Sequence, residues 1–323
     1  MIRFIYILAA SHSGSTLLTM LLNAHPDVAT VGSLGPGGIG DINKYRCSCG
    51  SLIRECSFWN WLTNRAKANG IPFCVEHFGT RFNMRTSKLG NRLLSALHRG
   101  PMFELIRDTC LNLLTPWPRR FQQIARANEV LVKLIMEYYS SKVFVDKGNI
   151  ALRLKYLLRI PSFDIKVIHL VRDGRGVALS YMDPAVFADA RDPALRGGGM
   201  GGNRENERLS MKMAATEWKR SVEEAEFILS RLDKSRWITI KYESLCTEPD
   251  TTMNRIFEFI GLDPSKRAKD FRSVEHHILG NGMRLDSTSE IQLDERWKSV
   301  LTPEQLAIFD RIAGRINEHF RDE

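Results

Sequence analysis

The sequence predicts a three-layer α/β/α fold, with a central, mainly parallel sheet and helices on both faces. It reads as one domain over residues 1–323 with a helical insertion at about 41–140. Three observations carry that expectation. Short apolar runs alternate with helical patterns, as parallel βα units require. The first run leads directly into a small polar turn and then a helix. The chain is 323 residues long and 43% hydrophobic, enough for a sizeable core.

Residues 4–8 are apolar, too few to cross a membrane and the right number for a buried strand. Residues 9–16 turn through small and polar side chains, after which Leu17, Leu18, Leu21 and Leu22 recur at helical spacing. Strand, small polar turn and helix together make a phosphate-binding layout. Amides at the helix start point into the turn and carry partial positive charge. Ser13, Ser15 and Thr16 add hydroxyls, and Gly14 lets the backbone close on an anion. The nucleoside triphosphate loop GxxxxGK[ST] needs a lysine where Ser15 stands, which argues against an ATPase or GTPase.

Pro26 ends the first helix, and residues 28–31 read as a second strand. Residues 32–40 hold five glycines and must form a loop, at the carboxyl edge of the sheet beside the phosphate loop. Helices are expected over 57–68, 91–97, 102–114 and 125–139, with a break at 116–120. Residues 142–148 read as a third strand ending in the pair Asp146-Lys147, and a helix follows over 151–159. A fourth strand at 165–171 ends on Arg172. That planar fork suits a phosphate, and Ser180, two helical turns further on, can close on the same group. The glycine-rich stretch 196–203 reads as mobile, either a lid or a linker, before a long helix at 206–232. A last strand at 237–243, a helix at 251–260 and a terminal helix at 303–320 complete the pattern.

The formal charge is 46 − 37 = +9. That excess fits an anionic ligand, and because the basic residues are scattered, a discrete anionic pocket suits it at least as well as a nucleic-acid face. No export leader or membrane span is expected, so the chain reads as soluble and cytoplasmic. Cys47, Cys49 and Cys56 cluster without CxxC spacing or a neighbouring HxxxH. They read as reduced thiols or one bridge to Cys56 ahead of a zinc site.

Several of these motifs resemble those of sulfotransferases that use 3′-phosphoadenosine-5′-phosphosulfate (PAPS), a family with a P-loop NTPase-like fold. His12-Ser13-Gly14-Ser15-Thr16 is similar to the family's 5′-phosphosulfate loop, with histidine in its basic slot. Arg172-Asp173-x-Arg175-x-Val177-x-x-Ser180 resembles its 3′-phosphate motif. Tyr242-Glu243-x-Leu245-x-x-x-Pro249 is similar to the segment whose tyrosine lies near the adenine. Gly280, Asn281 and Arg284 resemble the late loop that finishes the 3′-phosphate site.

The resemblance implies sulfuryl transfer from PAPS to a hydroxyl or amine of a small-molecule or glycan acceptor. The product would be 3′,5′-ADP, with no metal and no nucleic acid involved. His12 and Lys147 would stabilise the leaving phosphate. The family's general base is a glutamate in a Gly-Glu pattern, where this chain has Gly32-Ser33, so the base is unassigned. Two rival readings follow: a PAPS- or 3′,5′-ADP-binding protein impaired in catalysis, and a small-molecule kinase. Acceptor and oligomeric state are not written in the sequence.

Overall fold

β1 (Ile2–Ala9) is apolar along most of its length because both of its faces are buried. Phe4, Tyr6 and Leu8 enter one core, while Ile5, Ile7 and Ala9 enter another. Burial on two sides is the mark of a central parallel strand. The computed structural model describes residues 1–36, 39, 41–84, 88–95, 101–114, 116–187, 189–199 and 208–322.

Helix α1 (Ser15–Asn23) follows β1 and leads to β2 (Val28–Thr30). Four helices come before the sheet resumes: α2 (Ser57–Ala68), α3 (Lys88–Ser95), α4 (Pro101–Leu114) and α5 (Trp117–Tyr138). Then come β3 (Val143–Asn149), α6 (Ala151–Leu157), β4 (Phe163–Val171), α7 (Gly174–Met182) and α8 (Pro184–Phe187). The long α9 (Met211–Leu229) precedes β5 (Trp237–Lys241), α10 (Tyr242–Thr247) and α11 (Pro249–Ile260). The chain finishes with α12 (Trp297–Val300), α13 (Pro303–Phe309) and α14 (Arg315–Asp322). The strand order is β2-β3-β1-β4-β5, parallel throughout. The chain leaves β1 toward one edge and β4 toward the other, so a crevice opens at the carboxyl ends of these two strands.

Several boundaries differ from expectation for local reasons. Helix α5 starts at Trp117 rather than after a break at 116–120, because Pro118 sits in the first turn, where its missing N–H has no partner to lose. The last strand stops at Lys241, and Tyr242 opens α10. The terminal helix is interrupted by a π-helical turn, Asp310–Gly314. Residues 96–97, 200–203 and 206–207 of the expected helices and glycine stretch lie outside the described residues, as do 37, 38 and 40.

β3 carries an irregularity that matters for the site. Tyr6 pairs with Asp146 but Leu8 pairs with Asn149, so two steps on β1 match three on β3. This bulge falls at Lys147-Gly148, and bulges re-aim side chains. Gly148 is required there: a Cβ would lie 2.1 Å from the Tyr6 hydroxyl.

Candidate active site

The turn after β1 is built on two left-handed residues, His12 at φ 66° and Gly14 at φ 86°. Gly14 is the N-cap of α1 and supplies no side chain, and the first turn of the helix holds no acid. The opening amides of α1 therefore face the crevice with their donors uncapped by side chains. A Cβ on Gly14 would stand 2.3 Å from the Tyr242 ring. Gly14→Ala is expected to destabilise the protein by more than about 1 kcal/mol, read by urea denaturation, since both the backbone and the ring oppose it.

Lys147 supplies the cation that the loop lacks. It is buried, and its Nζ donates to Thr16 Oγ1 at 3.0 Å. It thus reaches the start of α1 from the neighbouring strand. Burial, helped by the nearby Arg284 charge and opposed by Asp146, pulls its pKa down to about 7. Its backbone N–H donates to the Gly32 carbonyl at 2.7 Å, which sets the following Ser33 beside the strand end. Ser33 is buried, and its Oγ accepts from the Gly35 amide at 3.3 Å. Gly32 has φ 79°, and a Cβ there would strike the Leu279 carbonyl at 2.1 Å.

Arg172 leaves β4 and turns back onto the loop. One terminal nitrogen donates to the His12 carbonyl at 2.9 Å, and the other to the Asp294 carbonyl at 3.0 Å and carboxylate at 2.9 Å. Its guanidinium lies 4.5 Å from the Tyr242 ring centroid. Tyr242 is thus packed between Gly14 and Arg172. Burial pushes the Asp294 carboxyl up, but hydrogen bonding from Arg296 and the charge of Arg172 outweigh it and hold the group well below the usual range. Ser180 is buried on α7 and donates to the Gly176 carbonyl at 3.2 Å. His12 meets Tyr181 edge-on, with ring centroids 5.2 Å apart.

These groups surround one cavity of about 760 Å³. His12, Gly14, Ser15 and Thr16 line it, together with Ser33, Lys147, Arg172, Ser180, Tyr242 and Asn281. Ser13 is buried behind the loop rather than on the wall. Two expectations need correction. Arg284 does not face the cavity: its guanidinium donates to the carbonyls of Ile278, Gly280, Asn281, Arg46 and Gly198. It is a buried clamp on backbone, with no donor direction turned toward a phosphate. Gly280 likewise backs the site instead of lining it, since a Cβ there would sit 2.8 Å from Lys147 Nζ and 3.0 Å from Thr16 Oγ1.

The cavity wall also holds cations that the sequence did not single out: Arg191, Arg196, Arg272 and Arg296. Each stands in an irregular segment with no motif spacing. The only available signal was the basic excess itself. Residues 196–199 are docked rather than loose. The Gly198 carbonyl accepts from the Arg46 amide at 3.0 Å, and the Gly197 amide donates to Asp189 at 2.9 Å. The remainder of that stretch, 200–203, lies outside the described residues.

The model of a family described as "Sulfotransferase family" matches residues 106–266, from within α4 past the end of α11. Carbohydrate sulfotransferase 2 of Mus musculus is 25% identical over 179 residues, and that of Homo sapiens is equally similar. The match takes in 46% of this chain and 33% of each relative, so the chain spans about a third of the length of the curated relatives it matches. The solved sulfotransferase domain from the curacin biosynthetic pathway has the same fold, with a TM-score of 0.50, 18% identity and 98% of both chains covered.

Proposed function

Taking as premise that this chain belongs to the sulfotransferase family, we propose that it moves a sulfuryl group from PAPS to a hydroxyl or amine of a small-molecule or glycan acceptor. The observation that carries this reading is the junction of Lys147, Thr16 and the start of α1 within the cavity, with Arg172 bonded to the same loop through His12. One compact ligand with anionic groups at two ends would meet cationic or amide donors at both.

In the reaction the acceptor oxygen or nitrogen attacks sulfur and the bond from sulfur to the bridging phosphate oxygen breaks. Charge then grows on the phosphate of 3′,5′-ADP. The α1 amides, Ser15, Thr16 and Lys147 stabilise that charge where it develops, without a metal. Beside a bound polyanion Lys147 would keep its proton, and so would serve as a cation and not as the base. Ser33 cannot accept the acceptor proton at neutral pH. A carboxylate on the cavity wall can, and Glu290 and Asp286 are there. Arg172 would hold a 3′-phosphate in place of the Asp294 carboxylate.

The serine at position 33 favours one second reading, a protein that binds the nucleotide without turning it over. Calorimetry with 3′,5′-ADP, 5′-AMP and magnesium ATP separates the cases, followed by transfer assays from PAPS to panels of glycans and small hydroxyl compounds. Binding of 3′,5′-ADP at least about tenfold tighter than 5′-AMP, with product formed, is expected. Preference for magnesium ATP would make it a kinase. Binding of 3′,5′-ADP with no transfer to any acceptor would favour the non-catalytic protein.

A further inference from the structure

Away from the cavity, the three cysteines of the 47–56 segment meet a histidine from far along the chain. Cys47, Cys49, Cys56 and His277 present ligand atoms that all lie within 4.8 Å of one another. Cys49 and Cys56 sulfurs are 3.7 Å apart, and His277 Nδ1 lies 3.5 Å from Cys47 Sγ and 3.4 Å from Cys56 Sγ. A tetrahedral zinc with Zn–S of about 2.3 Å and Zn–N of about 2.0 Å gives edges of roughly 3.75 Å between sulfurs and roughly 3.5 Å from sulfur to nitrogen. These three separations match those edges, and the remaining three lie within 4.8 Å. They are also far longer than the ~2.05 Å of a disulfide. A single imidazole nitrogen has one lone pair or one proton, and so cannot satisfy two sulfurs by hydrogen bonding. A cation between them can.

The surroundings fit as well. His277 Nε2 meets Glu275 Oε1 at 2.9 Å, the carboxylate contact that orients a metal-bound imidazole. The His277 ring stacks on Phe58 at 4.6 Å and 4°. Cys47 and Cys56 are buried, and Cys49 is exposed. Gly50, at φ 90°, closes the turn that brings Cys47 and Cys49 together, and the Cys47 amide donates to the Ser51 carbonyl at 2.9 Å. No histidine stands near these cysteines in the sequence; the fourth ligand lies 221 residues beyond Cys56.

We propose that Cys47, Cys49, Cys56 and His277 form a closed Cys3His zinc site that pins the start of the helical insertion to the loop behind the catalytic lysine. All four positions of the tetrahedron are filled by protein, so the site is structural and leaves no place for substrate. The pin is continuous with the active site. Ile278 donates to Ser48 Oγ at 2.7 Å, Leu279 to the Val31 carbonyl at 2.8 Å, and Gly280 packs on Lys147 and Thr16.

The test uses untagged full-length protein purified under reducing conditions. Elemental analysis should find about one zinc per chain, and cobalt(II) exchanged into the protein should show the intense visible bands of a tetrahedral thiolate site. Iodoacetamide labelling read by peptide mass should modify the exposed Cys110 at least about tenfold faster than Cys49, which is also exposed, and chelation should abolish that difference. Cys49→Ser should lower the zinc content at least several-fold. Protein that lacks zinc and does not take up zinc or cobalt would overturn the proposal. So would Cys49 labelling as fast as Cys110 in the metal-replete sample, or zinc content unchanged in Cys49→Ser.

Discussion

Lys147→Met should lower the rate of sulfuryl transfer by about 10²–10³-fold, the usual effect of removing one preorganised donor from a developing oxyanion. The same variant should melt at a higher temperature than the wild type in the absence of nucleotide. The reason lies in the buried ammonium, whose pKa falls from 10.5 to about 7 because burial and the Arg284 charge oppose protonation. Between pH 7 and 10.5 the unfolded chain binds a proton at this position that the folded chain does not, so stability rises with pH across that window. Below pH 7 the folded protein carries the buried charge in full. Methionine removes both the charge and the pH slope.

Nucleotide binding should show the opposite sign. The bound anion restores the proton, so 3′,5′-ADP affinity should fall as pH rises above 7, by up to about tenfold per pH unit. Calorimetry at pH 6, 7, 8 and 9 reads this directly. A flat profile in the wild type, or an unchanged slope in Lys147→Met, would show that Lys147 does not face the anion.

Asp146→Ala should destabilise the fold by about 3–5 kcal/mol in urea denaturation, the scale for breaking one side of a buried ion pair. Asp146 is fully buried beside Lys147 but faces the other way. Its carboxylate accepts from Arg153 at 2.8 Å and from the Leu34 amide at 3.0 Å. Arg153 in turn donates to the Thr80 carbonyl at 2.9 Å and to Asn128 Oδ1 at 2.8 Å. One carboxylate therefore ties β3 to the loop after β2 and to α5 of the insertion. Pairing Asp146→Ala with Arg153→Met should recover part of the loss, because the orphaned guanidinium goes with it. Asp27→Asn, which breaks the pair with the exposed Lys142, should change stability by less than about 1 kcal/mol.

The strands were legible because a parallel sheet buried on two faces writes itself as unbroken apolar runs. Residues 4–8 and 165–171 lie inside β1 and β4. The turn from β1 into α1 was legible for a similar reason: its constraints are local, and Gly14 sits in the left-handed region that favours glycine. Where the sequence fell short, the deciding partner was distant. Arg284 reads as a phosphate ligand until five carbonyls from three segments are seen around it. Nothing near Lys147 indicated that a bulge would turn it toward Thr16, or that His277 would join the cysteines. Residues 237–243 read as one strand, yet the strand stops at Lys241 and the Tyr242 ring wedges between loop and guanidinium.

The central place of β1 also has a consequence during synthesis. β1 leaves the ribosome well before its partners, β3, near residue 143, and β4, near residue 163. At roughly 5–20 residues per second, its two edges stay open for roughly 10–30 s, carrying an apolar segment with no lateral partner. This part of the nascent chain is therefore aggregation-prone until β4 is made. Slowing translation upstream of residue 163 should lower the soluble yield, whereas the same pause placed after residue 241 should not.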